Sequence, residues 1–217
     1  MNTMIDVCNL HKTYRQNGKQ IKILDGINFS VESGEFVVLK GENGSGKSTL
    51  INILLGLKKP SKGNVVMMGH SPKQAVSRSK VGVMLQKTTA PNHITVDELI
   101  DLIRAYYSDP LDKQTLLDFC GLGENRNAWA SELSGGQERL LYFSLAITGN
   151  PDLLILDEPT VFLSEKSKLK LLHKIHDFCK DGKSVLLVTH EQEQSLDPIL
   201  NLVTKRLLLK EGKLTIS

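Results

Sequence analysis

The sequence is poor in cysteine, in net charge and in long apolar runs. Its three cysteines, Cys8, Cys120 and Cys179, lie far apart and form no Cys-x-x-Cys pair. This spacing argues against a disulfide framework and against a zinc site, and it favours a reducing compartment. The 27 basic and 24 acidic residues leave a net charge of +3, which is too small to indicate a nucleic-acid partner, so none is expected.

Membrane-spanning and secreted proteins are disfavoured as well. The longest apolar runs in strand-like contexts are LLIL (153–156) and VLLV (185–188), far below the roughly 20 residues of a membrane span. The N-terminal segment MNTMIDVCNLHK has no signal-peptide core. We therefore expect a cytoplasmic chain that reaches the inner face of the cell membrane only through a partner.

Short β-type runs alternate with helical patterns, which predicts an α/β fold with a mostly parallel core sheet flanked by helices. The runs 36–40, 153–156 and 184–189 are uniformly apolar, as is typical of strands buried on both faces. The N-terminal part instead shows strand-like runs separated by turn signals such as Asn17-Gly18, which predicts an antiparallel β lobe. A last hairpin is expected around Glu211-Gly212.

The pattern becomes helical from about Thr95 to Trp129. Thr95 and Glu98 form a capping-box pattern, and apolar residues including Tyr106 and Tyr107 recur behind it at helix spacing. We interpret the chain as a single domain over 1–217, with a helical lobe inserted at about 87–135.

The clearest motif is GENGSGKST (41–49), which follows the strand FVVLK and opens a helix. It matches G-x-x-x-x-G-K-[ST], in which glycines let backbone N–H groups wrap phosphates at a helix N-terminus. Lys47 would neutralise the β/γ oxygens, and Ser48 would offer a hydroxyl to Mg²⁺. The predicted nucleotide-binding residues are Gly41, Glu42, Asn43, Gly44, Ser45, Gly46, Lys47, Ser48 and Thr49.

Two carboxylates end the apolar run LLILDEP (153–159). Asp157 is placed to hold the magnesium shell, and Glu158 could polarise an attacking water as general base. Two acids before a proline are otherwise a solvated turn, and the loop at 41–49 makes the catalytic interpretation the stronger one.

A second helix end in the sequence also suits an anion. Ser134 and Gln137 form an S-x-x-Q capping box. Gly135 and Gly136 leave the first N–H groups uncovered by side chains, so that an anion could come close. An ordinary capped helix would explain Ser134 and Gln137, but it offers no use for two glycines that each cost about 1 kcal/mol in a helix.

Taken in order, these motifs resemble the nucleotide-binding subunits of ATP-binding cassette (ABC) transporters. LSGGQ (133–137) is similar to the signature of that family and lies between the phosphate loop and LLILDEP, as it does there. The resemblance covers essentially the whole chain and implies a P-loop NTPase fold. It also implies that two subunits face each other head to tail, with Ser134, Gly135, Gly136 and Gln137 binding ATP held by the loop of the other subunit.

Three further residues take their expected roles from the resemblance. Tyr14 would stack on adenine, Gln86 would touch the metal and the water, and His190 would sense the γ-phosphate. Each has a structural alternative: packing for Tyr14, a polar strand end for Gln86, and a structural histidine for His190. The helical lobe would receive the coupling helix of a membrane permease on a separate chain.

The stretch VFLS (161–164) departs from the family pattern. Phe162 stands where the family usually has glycine or alanine, and Ser164 stands where it has aspartate. A serine cannot supply the negative charge in the loop that crosses the dimer seam. The leading hypothesis is an ATPase that powers a separate permease, and the resemblance favours the exporter type. The alternatives are a soluble ABC ATPase outside transport and a weakly hydrolysing regulatory cassette.

Overall fold

The computed structural model describes residues 2–16, 18–86, 88–190 and 193–216. Two β-sheets and a set of helices form the part of the chain that is described. The strands are β1 (Thr3–Gln16), β2 (Lys19–Glu32), β3 (Phe36–Lys40), β4 (Lys62–Met67), β5 (Val81–Met84), β6 (Leu153–Asp157), β7 (Ser184–Thr189), β8 (Lys205–Lys210) and β9 (Lys213–Ile216). The α-helices are α1 (Lys47–Leu54), α2 (Ala75–Arg78), α3 (Val96–Arg104), α4 (Lys113–Cys120), α5 (Gly135–Ile147) and α6 (Glu165–Lys180). Two 3-10 helices are Ala130–Glu132 and Glu193–Leu202.

The central sheet has the strand order β5-β6-β7-β3-β8-β9. The first five strands run parallel, and β9 returns antiparallel to β8. Along β6, Leu154 and Leu156 pack with the helical side of the core, whereas Leu153 and Ile155 pack with the opposite side. The prediction of a mostly parallel sheet whose strands are buried on both faces is confirmed.

The second sheet is N-terminal and antiparallel, with the order β2-β1-β4. It covers one face of the central sheet together with α1 and shares a single apolar cluster with it. The predicted turn includes Asn17, which lies outside the described residues. The predicted C-terminal hairpin joins β8 to β9 and pairs Leu209 with Leu214. It contacts the N-terminal sheet through the Asp25 N–H, which donates to the Gly212 carbonyl at 2.8 Å.

Helices α3 and α4 lie between β5 and α5 in sequence. The Thr95 and Glu98 capping box is present at the start of α3, and Lys113 Nζ links the two helices by binding Asp97 at 2.8 Å and Asp101 at 2.6 Å. Helix α3 ends at Arg104, so Tyr106 and Tyr107 lie beyond the helix and not on it. The proposed lobe boundaries at about 87 and 135 stay a prediction, and Lys87 lies outside the described residues.

Within the described ranges, no helix combines the length and the apolar character that crossing a membrane requires. The carboxyl ends of β3, β6 and β7 lie side by side, because these strands are neighbours and run parallel. In open α/β sheets this edge is where ligands bind. Among the functional residues predicted from the sequence, the loop 41–49 follows β3, Asp157 and Glu158 lie at the end of β6, and His190 follows β7.

Candidate nucleotide-binding and catalytic site

The loop 41–49 joins β3 to α1, and Gly46 is the residue that caps the helix. Its φ of 110° lies in the left-handed region, and no side chain caps the helix. A Cβ at Gly46 would also lie 3.0 Å from the Leu24 side chain and 3.1 Å from the Ile23 carbonyl oxygen. Backbone conformation and close packing therefore both require glycine here, and the first amides of α1 are left for an anion.

The Lys47 ammonium is held inside this loop. Its Nζ donates hydrogen bonds to the carbonyl oxygens of Gly41 at 2.6 Å and Glu42 at 3.1 Å. Only 8 % of the side chain surface is exposed. A buried cation in a fixed position suits the binding of a polyphosphate, because little side-chain freedom is left to lose.

A cavity of about 280 Å³ brings together residues from four distant stretches of the sequence. A neighbouring cavity of about 320 Å³ also contacts Ser48, Gln86 and Asp157. The strand β5 ends at Met84, two residues before Gln86, so the glutamine lies in the loop that follows and not on the strand as expected. The residues that line the first cavity are Ile23, Asn43, Gly44, Gly46, Lys47, Ser48, Thr49, Gln86, Asp157 and Glu158.

Asp157 at the end of β6 is 4 % exposed. Burial, with the adjacent charge of Glu158, raises the pKa of its carboxyl to about 6, against the opposing effects of Lys47 and of the Gln86 backbone amide. A hydroxyl, an amide oxygen and a carboxylate thus share one cavity, and this donor set fits Mg²⁺. No group of three or more His, Cys, Asp or Glu residues suited to a metal occurs among the residues that the structure describes.

Glu158 is buried in a strained backbone conformation, with φ at 52°. Its carboxylate contacts two side chains from the end of β7. His190 Nδ1 lies 2.7 Å from Oε1, and Thr189 Oγ1 donates to Oε2 at 3.3 Å. Two residues whose roles were predicted separately are therefore in direct contact, and the carboxylate has a defined orientation.

Arg139 is a site residue that the sequence analysis missed. It lies on α5, only 5 % exposed, and its guanidinium donates to four backbone carbonyls. Nη1 binds Leu85 O at 3.1 Å and Gln86 O at 3.3 Å, while Nη2 binds Asp157 O at 3.2 Å and also Glu158 O. Burial lowers its pKa, and the charges of Asp157, Glu138 and Glu158 oppose this. The sequence shows two charged residues, Glu138 and Arg139, ahead of the apolar run LLYF, and no pattern that singles out the arginine.

Tyr14 lies close to Thr49, the last residue of the phosphate loop. Lys58 Nζ donates to the Tyr14 hydroxyl at 3.1 Å, and Lys12 Nζ lies 5.0 Å from the centre of the ring. Burial raises the pKa of Tyr14, but its bonds and charge interactions with Lys58, Thr49 and Lys12 outweigh burial, and the pKa is lowered. Two ammonium groups therefore lie within 5.4 Å of the centre of the ring, and Tyr14 is not among the residues that line the cavity.

The predicted signature residues lie apart from this cavity. At the start of α5 the capping box is formed: Ser134 N donates to Gln137 Oε1 at 3.0 Å, and Gln137 N donates to Ser134 Oγ at 3.4 Å. Ser134 and Gly135 are exposed, and none of residues 134–137 lines the cavity. One chain therefore holds two separate anion-ready helix ends.

The glycine pair has a packing role that the sequence did not indicate. A Cβ at Gly135 would lie 3.4 Å from Phe162 Cβ, and a Cβ at Gly136 would lie 3.3 Å from the Phe162 carbonyl oxygen. The loop after Glu158 therefore rests against the start of α5. In the same loop, Ser164 caps α6 by accepting a hydrogen bond from Ser167 N at 3.3 Å, which accounts for its hydroxyl.

Comparison with known proteins agrees with the motifs and the fold. The family described as "ABC transporter" matches residues 24–161. The uncharacterized ABC transporter ATP-binding protein MJ1508 of Methanocaldococcus jannaschii is 32 % identical, over 97 % of this chain and 97 % of its own length. A macrolide export ATP-binding/permease protein, MacB of Bdellovibrio bacteriovorus, is 33 % identical over 88 % of this chain, and the match spans 31 % of that longer protein.

Solved structures give the same result. The dimeric, post-hydrolysis structure of the ATP-binding cassette MJ0796 bound to ADP and Pi superimposes with a TM-score of 0.86 and 26 % identity, covering 99 % of this chain and 98 % of that one. The predicted P-loop NTPase fold is confirmed, and so is the predicted family. Because the family match extends over more than half of the chain and full-length relatives exceed 30 % identity, this chain belongs to the ABC transporter family.

Proposed function

We propose that this chain is the ATP-hydrolysing subunit that powers a separate membrane permease, through ATP-driven dimerisation. One observation carries the proposal: the site is divided. The inner half-site, made of residues 41–49, Gln86, Asp157 and Glu158, forms one cavity. The outer half-site, Ser134–Gln137, is a capped helix end outside that cavity. An ATP bound in the inner half-site of one copy would meet the outer half-site of another.

Each residue has a defined task in this proposal. The amides of 41–49 and the Lys47 ammonium bind the β- and γ-phosphates, and the Tyr14 ring stacks on adenine. Glu158 takes the proton of the attacking water as general base. His190 holds Oε1 of that carboxylate, so a γ-phosphate that contacts the imidazole would be sensed directly beside the base.

A magnesium ion is part of the proposed mechanism. Ser48, Gln86 and Asp157 would hold it, since their oxygen atoms meet at one cavity. When bound, Mg²⁺ neutralises charge on the β- and γ-phosphate oxygens. Asp157 would bind as a carboxylate, which its raised pKa allows at neutral pH.

The permease would bind in a second groove, which lies between β5 and the helices α3 and α5. This cavity of about 520 Å³ is lined mainly by apolar side chains, among them Leu102, Tyr107 and Tyr142. Leu102 is 46 % exposed, so part of the apolar stripe of α3 is open to a partner. Several relatives are named as macrolide or Nod factor export proteins, which favours an exporter whose cassette lies on the cytoplasmic face of the membrane.

Glu158→Gln tests the proposal most directly. The variant keeps the shape of the site but loses the base, so ATP should still bind while hydrolysis falls by about 10²–10⁴-fold. The trapped ATP should convert the protein to a dimer, which size-exclusion chromatography with light scattering would detect. Glu165→Gln makes the same change at an exposed position and should behave as wild type. A Glu158→Gln protein that hydrolyses ATP at the wild-type rate would remove Glu158 from the mechanism.

A weakly hydrolysing regulatory cassette is the second candidate, and Ser164 favours it. This side chain is neutral and its oxygen accepts the Ser167 amide hydrogen, so it contributes no charge to a seam. Phosphate release measured on the chain alone, and then with its co-purified permease, distinguishes the two. A rate that stays negligible in both samples supports the regulatory candidate.

A further inference from the structure

Phe162 combines two unfavourable features in the loop between Glu158 and α6. Its side chain is 78 % exposed, and its φ of 66° lies in the left-handed region, which a bulky side chain rarely adopts. Because most of the ring faces solvent, burial within the chain does little to offset this backbone strain. Strain of this kind is typical of functional positions.

The ring also has a specific neighbour. Its Cβ and carbonyl oxygen lie against Gly135 and Gly136, and a side chain at 136 would push the loop away by a few tenths of an ångström. Phe162 and the outer half-site therefore form one continuous surface, in which an exposed aromatic ring stands beside the open amides of a helix end. An aromatic ring fully removed from water is a frequent anchor of protein interfaces.

We infer that Phe162 is an aromatic anchor for a second copy of this chain, buried when the two copies close on ATP. The inference rests on the proposed function, because a second copy is what would bring a triphosphate to the outer half-site. A two-fold pair presents the same surface twice, so each copy contributes one ring to the seam. Any other occupant of this surface would have to compete with the closing partner for it.

The test uses Phe162→Asn in the Glu158→Gln background. Asparagine tolerates the left-handed region, so the loop should keep its shape. The melting temperature of the free chain should stay the same or rise, because strain is removed. The dissociation constant of the ATP-bound dimer should rise by about 10-fold or more, as for the loss of an interface anchor. Analytical ultracentrifugation at several concentrations measures this constant, and a fluorescent ATP analogue measures nucleotide binding to the single chain.

Tyr106→Asn is the matched control in the same background. Tyr106 is an aromatic residue with 77 % exposure, and it adjoins Tyr107, which packs on Gly149 beyond the far end of α5. That helix has 13 residues, so about 20 Å separates its two ends. The control should leave dimerisation unchanged.

The outcomes separate the two ideas. If Glu158→Gln dimerises with ATP and Phe162→Asn dimerises equally well, the anchor role of Phe162 is wrong and the proposed function stands. If Glu158→Gln binds ATP but stays monomeric at every concentration, closure between two copies of this chain is wrong, and both proposals fall together. A selective loss at position 162, with unchanged melting and unchanged nucleotide binding to the single chain, supports the anchor.

Discussion

The inner and the outer half-sites are built in opposite ways. In the inner half-site, Lys47, Asp157 and Glu158 are nearly fully buried, and each has its partners within the chain. In the outer half-site, Ser134 and Gly135 are exposed and the helix end is already capped by its own residues. The difference shows that one chain can fix the geometry of a phosphate site and of a base, while the helix end that would complete the cage is left on the surface.

Mixing two inactive variants gives the largest expected effect. Lys47→Ala disables the inner half-site, and Gly135→Glu places a negative charge on the outer half-site. Each should lower ATP hydrolysis by about 100-fold or more, since charge stabilisation is lost or reversed. Random pairing of an equal mixture gives mixed dimers with one intact composite site, so about a quarter of the wild-type rate should return.

The control is an equal mixture of the two single variants Lys47→Ala and Glu158→Gln. Both changes are in the inner half-site, so no mixed dimer contains an intact composite site and the rate should stay low. Phosphate release is measured at matched total protein. Full activity of Gly135→Glu alone would show that the outer half-site meets no nucleotide and takes no part in hydrolysis.

Arg139 lies on the helix that begins with the outer half-site and binds backbone carbonyls of the inner half-site, so Arg139→Lys should affect both stability and catalysis. Lysine keeps the charge but cannot bind four carbonyls, so the free energy of unfolding should fall by about 1–3 kcal/mol. If Arg139 also positions Gln86 and Glu158, kcat should fall more than KM for ATP rises. Urea unfolding and steady-state kinetics measure the two effects.

Arg126→Lys is the surface control for this change. Arg126 pairs with Asp97 at 2.6 Å and is 43 % exposed, so its replacement should cost less than 1 kcal/mol. A loss of stability at position 139 with an unchanged kcat would make Arg139 a purely structural residue.

At Asp157 a gain in stability is expected, and it depends on pH. Its folded pKa of about 6 is above the ordinary value of 3.8, so between these values the folded chain binds a proton that the unfolded chain has lost. The stability from this group is present below about pH 4 and is lost as pH rises through 6. The free energy of unfolding of Asp157→Asn should therefore exceed that of the wild type by about 2–3 kcal/mol at pH 7.5 and by little at pH 4.

Urea unfolding in magnesium-free buffer at both pH values measures this difference. Subtracting wild type from the variant cancels the titration of the other carboxylates. If the difference in the free energy of unfolding is the same at both pH values, the pKa of Asp157 is not raised by folding. The carboxyl group would then be exposed to water.

Local motifs predicted most of the inner half-site, because its chemistry depends on neighbours in sequence. The loop 41–49 and the two acids after LLIL are each recognisable from the spacing of their residues. The parallel strands β3, β7 and β6 then bring them together. Both capping boxes, at Thr95 and Ser134, were also predictable from four-residue patterns. The fold class followed from uniformly apolar strands alternating with helices.

Contacts to distant backbone atoms could not be predicted. The four partners of Arg139 are carbonyl groups, which every residue carries, so no sequence pattern marks them. Phe162 was noted as a departure from a family pattern, yet its left-handed backbone and its contact with Gly136 depend on how the loop crosses α5. The end of α3 was misplaced for a similar reason: Tyr107 packs on Gly149, which lies far away in sequence.

The fork of hydrogen bonds from Arg139 has a mechanical consequence. The Arg139 guanidinium on α5 donates to the backbone carbonyl of Glu158, the proposed general base. It also donates to the carbonyl of Gln86, a proposed metal ligand. A tilt of α5 would therefore move the backbone at both residues at the same time. Docking of a second copy on the start of α5 and alignment of the catalytic side chains would then occur in one motion, transmitted by the buried Arg139 guanidinium.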